Sequence, residues 1–235
     1  MRKANYPIVT LLSIFFVISF SGNSYPWHDE THIAIAKATG YKKWYNAAGA
    51  DMAKLKAGDV EKQNHYVNSP RGTTVTPEMV LKQAKKYNQT NDLIGHLYGA
   101  IIASVRNYLK AKDEGKYGEY HLAFCAHYVG DLSQPLHSAL LYNSYNRKHH
   151  QTTDGIINDE VLDNMDKIKI YPITINSEKD LANEIARIAN LSLKKGYQIQ
   201  EEKRLLTKDE AYEQISHSAS LFKAILEYVG KVDQQ

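Results

Sequence analysis

A chain of 235 residues with 43% hydrophobic and 23% charged side chains can bury one substantial core, which excludes a disordered or fibrous protein. Two of its 29 Lys and Arg stand at the very start (Arg2, Lys3), leaving 27 against 26 acids, too even a balance to draw nucleic acid or an anionic membrane by charge alone. Cys125 is the one cysteine, so no internal disulfide can form, and outside a reducing compartment ligands cross-linked through metal are the natural reinforcement.

The start reads as a secretory signal: Arg2 and Lys3, an apolar run from about Ile8 to Phe20, then Ser21, Gly22, Asn23 and Ser24. The run falls short of the roughly 20 apolar residues of a spanning helix, which favours cleavage over an anchor. Residues 1–26 are therefore expected to be a leader and 27–235 a single secreted or periplasmic domain. A period near 3.6 predicts helices from Asp29 to about Lys54, Pro77 to Tyr87, Asn91 to Lys112, Gly118 to Asp131, Lys179 to Tyr197 and Lys208 to Val229. In the third, Ile94, Leu97, Ile101, Val105 and Tyr108 make one apolar stripe. Pro70, Arg71 and Gly72 close one connection, and Thr76-Pro77 marks a helix start. Only Ile168 to Ile175 alternates like a strand, and Pro172 restricts it to an edge piece or an extended loop. The expected fold is an all-α, single-domain bundle able to hold metal between facing helices.

Within that frame, His127-Tyr-Val-Gly-Asp131-Leu-Ser-Gln-Pro-Leu-His137 packs three metal-capable side chains into eleven residues. His127 and Asp131, four apart on a helix, project from one face with β-carbons about 6 Å apart. Gly130 loosens the end of that helix, Pro135 suits the first turn of the next, and His137 enters from a second direction. His150 and Asp154 repeat the four-residue interval, so His137, His150 and Asp154 make a three-ligand set with room for water and substrate. Asp51 and His65 could complete the site begun by His127 and Asp131. His32, a backbone group of Trp27 and Asp131 could surround a third ion.

Taken singly, each group has a plainer reading. Asp131 and Gln134 could be helix caps, Asp51 a solvated charge, Lys148, His149 and His150 a basic surface run, and Trp27 and Trp44 core aromatics. His96, His121 and His217 are read as ordinary surface or satisfied core histidines. The joint pattern, with its repeated intervals, points to metal.

His127-x-x-x-Asp131-x-x-Gln134-Pro135-x-His137 resembles the signature of the zinc-dependent phospholipase C and single-strand-specific nuclease superfamily, with Trp27-x-x-x-x-His32 and His150-x-x-x-Asp154 similar to the nuclease branch. The resemblance implies a helical secreted phosphodiesterase with a trinuclear zinc cluster. One zinc would be held by Asp51, His65, His127 and Asp131, a second by His137, His150 and Asp154, and a third by Trp27, His32 and the shared Asp131. Two positions depart from the pattern: Pro26 directly precedes Trp27, and Asp59 competes with Asp51.

The function implied is hydrolysis of single-stranded DNA or RNA by an endonuclease or 3′-nucleotidase, with zinc acidifying water and neutralising phosphate charge. Asp51 would orient or deprotonate the nucleophile, Asn68 or Asn143 would contact phosphate, and Tyr66, Tyr142 and Tyr145 would offer faces for unpaired bases. One alternative is a phospholipase C acting on phosphatidylcholine-type lipids, for which no segment supplies an obvious apolar patch. Another is a non-catalytic secreted protein stabilised by metal. A monomer is expected, with nucleic acid or nucleotide as substrate and no protein partner implied.

Overall fold

The computed structural model describes residues 27–140 and 143–232; the leader expected at residues 1–26 and Tyr142 lie outside them. Ten α-helices and five short 3-10 turns follow one another, and the only β pairing among the described residues is an isolated parallel bridge between Ser69 and Ala139. The all-α expectation holds. None of these helices is long and apolar enough to cross a membrane.

Helix α6 (Glu119–Ser133) is the axis of the molecule. From Leu122 onward nearly every residue is buried, because α6 packs against α1 (Asp29–Ala38), α2 (Gly49–Ala57), α5 (Leu97–Asp113), α7 (Pro135–Ser138), α9 (Glu178–Glu201) and α10 (Lys208–Val232). A helix surrounded on all sides has no solvent face to polarise it. Leu122, Ala126, Val129 and Leu132 meet Ile101, Ile185, Phe222 and Ile225 in the main core. A second cluster gathers Trp27, Ile35, Leu136, Ile157, Val161, Leu206 and Ile215. The hydroxyl of Ser218 in α10 donates to the Val129 carbonyl at 2.5 Å, fastening α10 to the segment of α6 that carries the metal-type groups.

Expected and observed helices agree at the cores and differ at the ends. Thr76 caps α4 (Pro77–Gln83) by accepting from the Met79 amide, with Pro77 in the first turn as its fixed φ favours. The stretch from Asp29 to Lys54 is two helices: the Thr39 hydroxyl bonds back to the Ala36 carbonyl at 2.7 Å, and a 3-10 turn at Trp44–Asn46 separates α1 from α2. The third helix begins at Leu97, so Ile94 leaves the stripe and stands 55% exposed. Asp92 accounts for this start: its side chain accepts from the Ile94 amide and its carbonyl from the Gly95 amide, closing a turn where a further helical turn would have been. Residues 168 to 175 take the extended-loop option, held by Ser216 and Ser220 of α10, which accept from the Lys169 and Tyr171 amides at 2.9 and 2.8 Å.

Periodicity of apolar residues did not reveal α8 (Ser144–Asp154), for a physical reason. Its buried face is Asn146, His150, Thr153 and Asp154, a helical spacing written in polar residues. Short α3 (Asp59–Lys62) and α7 complete the set.

At Gly95 the backbone has φ of +79°, and a Cβ there would fall 2.2 Å from the Tyr66 carbonyl oxygen. Gly95→Ala combines left-handed backbone strain with a clash against main chain, so we expect a loss of at least about 2 kcal/mol. For a domain of this size that lowers Tm by about 4 °C or more, readable by thermal or urea unfolding.

Candidate metal centre

Asp131, on α6 and fully buried, points its carboxylate into four imidazoles. One oxygen lies 3.5 Å from His32 Nε2 and 3.5 Å from His137 Nδ1; the other lies 2.9 Å from His65 Nδ1 and 3.5 Å from His127 Nε2. Asp51 of α2 reaches the same place, 3.7 Å from His127 Nε2 and 4.0 Å from His65 Nδ1. His150 Nε2 and Asp154 sit 3.4 Å apart on α8, and the His150 ring stacks on that of His137 with centroids 4.9 Å apart. Three groups result in which donor atoms lie close enough to share an ion: His32, His127 and Asp131; Asp51, His65 and His127; His137, His150 and Asp154.

Local structure sets each ring. His127 Nδ1 lies 2.9 Å from the Ala47 carbonyl and His137 Nδ1 2.7 Å from the His65 carbonyl, and a carbonyl only accepts, so both rings carry their proton on Nδ1. His150 Nδ1 faces Asn146 Oδ1 at 2.7 Å, while the Asn146 amide nitrogen donates to the Leu136 and Leu140 carbonyls, which fixes the orientation of that amide. Each arrangement leaves Nε2 as a bare electron pair aimed inward, the tautomer that metal ligation requires. Residues 67 to 69 are tied to α7 and α9, with the Val67 amide donating to the His137 carbonyl at 2.8 Å and the Tyr197 hydroxyl to the Ser69 carbonyl at 2.7 Å. That docking holds His65 and His137 in register. Gln134 caps α7, as its position suggested, accepting from the Leu136 and His137 amides, and its amide nitrogen also donates to Asp154.

Gly130 has another role than loosening a helix end. A Cβ there would stand 2.5 Å from His32 Nδ1, so the missing side chain is the space that the His32 ring fills as it stacks on His127 at 3.7 Å.

These residues fit metal ions. His32 Nε2, His127 Nε2, His137 Nε2, one Asp131 oxygen and one Asp154 oxygen are all buried without a hydrogen-bond partner. Electron pairs facing electron pairs in a dry site repel, and several kcal/mol per buried charge stay uncompensated until a cation lies between them. Burial pushes the imidazoles toward neutrality, His127 down to about 3 and His150 down to about 4, with His32, His65 and His137 also well below their usual value. Burial likewise holds the Asp131 and Asp154 carboxyls well above theirs, with Asp51 a further cause at Asp131. Imidazole and carboxylate donors without thiolate suit a borderline divalent ion.

Every ligand expected from the sequence lies in or beside this centre. Asp51 is buried and shares a group with His65 and His127, whereas Asp59 is exposed. Trp27 is fully buried, and its backbone faces the His32 imidazole. Of the histidines read as ordinary, His96 is satisfied by Asp92 and Asn64, and His121 and His217 lie against Tyr120 and Tyr171. The proposed substrate contacts fare less well. The Asn143 amide caps α8 and donates to Gln200, Asn68 donates to the Leu93 carbonyl, Tyr145 bonds the Arg204 carbonyl, and Tyr66 is buried. Two groups escaped the sequence reading. Lys54 Nζ lies 2.9 Å from Asp51, and Glu61 lies 3.4 Å from His65 Nε2. Glu61 precedes His65 by four, the same interval that marked His127 and Asp131.

Ion binding should therefore stabilise the fold. We expect Tm to rise by at least about 5 °C when zinc is added to chelator-treated protein, taking about 2.7 kcal/mol per site at a hundredfold excess over Kd. The depressed imidazoles bind fewer protons folded than unfolded, so acidification below their ordinary 6.5 favours unfolding. The raised carboxyls hold protons that an ion must displace, so binding weakens in the same direction. The zinc-loaded Tm should fall, and the zinc increment shrink, from about pH 7.5 to about pH 5.

Compared with known proteins, the chain matches no protein-family model and no curated protein sequence.

Proposed function

We propose that this chain is a secreted or periplasmic zinc-dependent phosphodiesterase, an endonuclease or 3′-nucleotidase acting on single-stranded DNA or RNA, and that it holds three zinc ions. The reading assigns one ion to Asp51, His65, His127 and Asp131, a second to His137, His150 and Asp154, and a third to the Trp27 backbone, His32 and Asp131. The observation that carries it is the Asp131 carboxylate, which stands within 3.5 Å of His32, His65, His127 and His137 and so joins the groups into one centre. A protein that used metal for stability alone would need only separate, closed four-ligand sites.

Bound zinc supplies a water acidified toward neutrality and offsets charge on the phosphoryl oxygens. Around it, this chain's own residues do the rest. Asp51, in ligand distance of His127 and His65, orients the attacking water and takes its proton. Lys54, whose side chain is 15% exposed, brings a positive charge to the rim beside Asp51, where it can meet a phosphodiester. The neutral state of the imidazoles keeps their electron pairs available near neutral pH. The His137, His150 and Asp154 group has three protein donors, which leaves a place for substrate.

The nuclease branch is preferred on the Trp27 to His32 interval and on Asp154. A phospholipase C acting on phosphatidylcholine-type lipids draws support from a different feature. Leu93 and Ile94 are 74% and 55% exposed, on a loop whose carbonyls accept from Asn68, three residues after His65. That is an apolar surface of the kind lipid engagement uses.

Turnover of single-stranded DNA or RNA beside phosphatidylcholine by the zinc-loaded protein tests the choice. We expect nucleic-acid cleavage, with lipid turnover alone selecting the second reading and bound metal without either activity selecting the non-catalytic one. His127→Ala and Asp131→Ala should each abolish phosphodiesterase activity and lower Tm together; full activity in a variant free of zinc sinks the proposal. Lys54→Met should keep its zinc and lose about 10²-fold in kcat/KM.

A further inference from the structure

One imidazole of the centre is turned the other way round. His127, His137 and His150 each rest Nδ1 on an oxygen behind them, whereas His65 aims Nδ1 at Asp131, 2.9 Å away, and turns Nε2 outward. Behind that outward nitrogen, which is buried and has no hydrogen-bond partner, a Glu61 carboxylate oxygen stands 3.4 Å away. Glu61 is 4% exposed, and its carboxylate is built in rather than trapped: the Tyr128 hydroxyl donates to the oxygen facing His65, and the Asn64 amide donates to the other at 3.2 Å. Asn64 is held in turn, its Oδ1 2.9 Å from His96 Nε2 and within reach of the Asn88 amide. His96 Nδ1 lies 3.2 Å from Asp92, which Lys86 pairs at 3.1 Å. The network runs from the protein surface to the back of one ligand.

We propose that Glu61 is the positioning residue of the first metal site: with an ion bound, it accepts a hydrogen bond from His65 Nε2–H, so that Nδ1 is the donor atom. The assignment rests on the metal reading above. A carboxylate behind an imidazole fixes its tautomer and ring orientation and makes its free nitrogen a stronger donor, an effect of roughly 10- to 100-fold in metal affinity. Among the described residues, His65 is the single imidazole of the centre with a charged group from outside the centre beside it. His127, His137 and His150 rely on neutral oxygens. Glu61 therefore sets the affinity of one ion and leaves the rest unaffected.

Titration of metal-free protein with zinc against a chromophoric chelator, comparing wild type with Glu61→Gln, reads this directly. We expect one ion to bind at least about 10-fold more weakly in E61Q and the others to bind unchanged. Wild-type binding with equal affinity in E61Q, or a lower Tm in chelator alone with affinity intact, makes Glu61 a structural group and overturns the assignment while the metal reading stands. Absence of zinc binding by the wild type overturns both. Should E61Q fail to fold, ring-nitrogen NMR of zinc-loaded wild type decides: a proton on His65 Nε2, with His127, His137 and His150 protonated on Nδ1, supports the assignment, and a proton on His65 Nδ1 ends it.

Discussion

A carboxylate buried among four neutral imidazoles is the constraint from which the rest of this molecule follows. Asp131 is fully buried, and its position on α6 places it where α1, α2 and α7 all converge. A helix in the middle of a bundle would ordinarily spend every position on apolar packing. Here one stripe is given to His127 and Asp131, and the remaining faces carry Leu122, Ala126, Val129 and Leu132 into the main core. His127, His137 and His150 each hold Nδ1 on an oxygen and turn Nε2 into the stripe, an arrangement that a bound cation would complete.

The supporting structure is organised around orientation rather than reach. Backbone carbonyls of Ala47 and His65 and the Asn146 amide each hold one ring nitrogen, so ring planes are fixed by the main chain of neighbouring elements. Small residues matter for the same reason. Gly130 makes the room in which His32 stacks on His127, and Gly95 lets the loop before α5 lie on Tyr66, next to His65. Lys54 is the nearest cation, at the rim beside Asp51, and it answers only part of the negative charge collected by Asp51, Asp131 and Asp154.

How much of this was legible in the sequence depended on which signal carried it. Long α9 and α10, with Leu181, Ile185 and Ile188 or Ile215, Phe222 and Ile225 facing the core, were visible because burial there is apolar and periodic. The ligand set was visible because residue type and a four-residue interval coincide at His127 and Asp131 and again at His150 and Asp154. Helix α8 was not, since a face of Asn146, His150, Thr153 and Asp154 has no hydrophobic contrast to detect, although its ligand spacing was itself helical. The late start of α5 depended on one Asp92 side chain closing a turn, a local choice that composition cannot weigh against Ile94. Glu61, Lys54 and Asn146 stood at helical intervals from Asp51, His65 and His150, and would have emerged from applying the spacing rule to the partners of ligands as well as to ligands. Asn143 and Tyr145 were misjudged because sequence adjacency to a site does not say whether a side chain is already committed to a cap or a carbonyl.

The peptide group of His65 has a wider bearing on assembly. Its carbonyl is the acceptor that orients His137, at 2.7 Å, while its ring belongs to the neighbouring group with Asp51 and His127. Any motion that frees the His65 ring also releases the backbone brace on a ligand of the adjacent pocket. A single residue thereby serves two neighbouring groups at once, its carbonyl holding a ring of one and its side chain standing in the other.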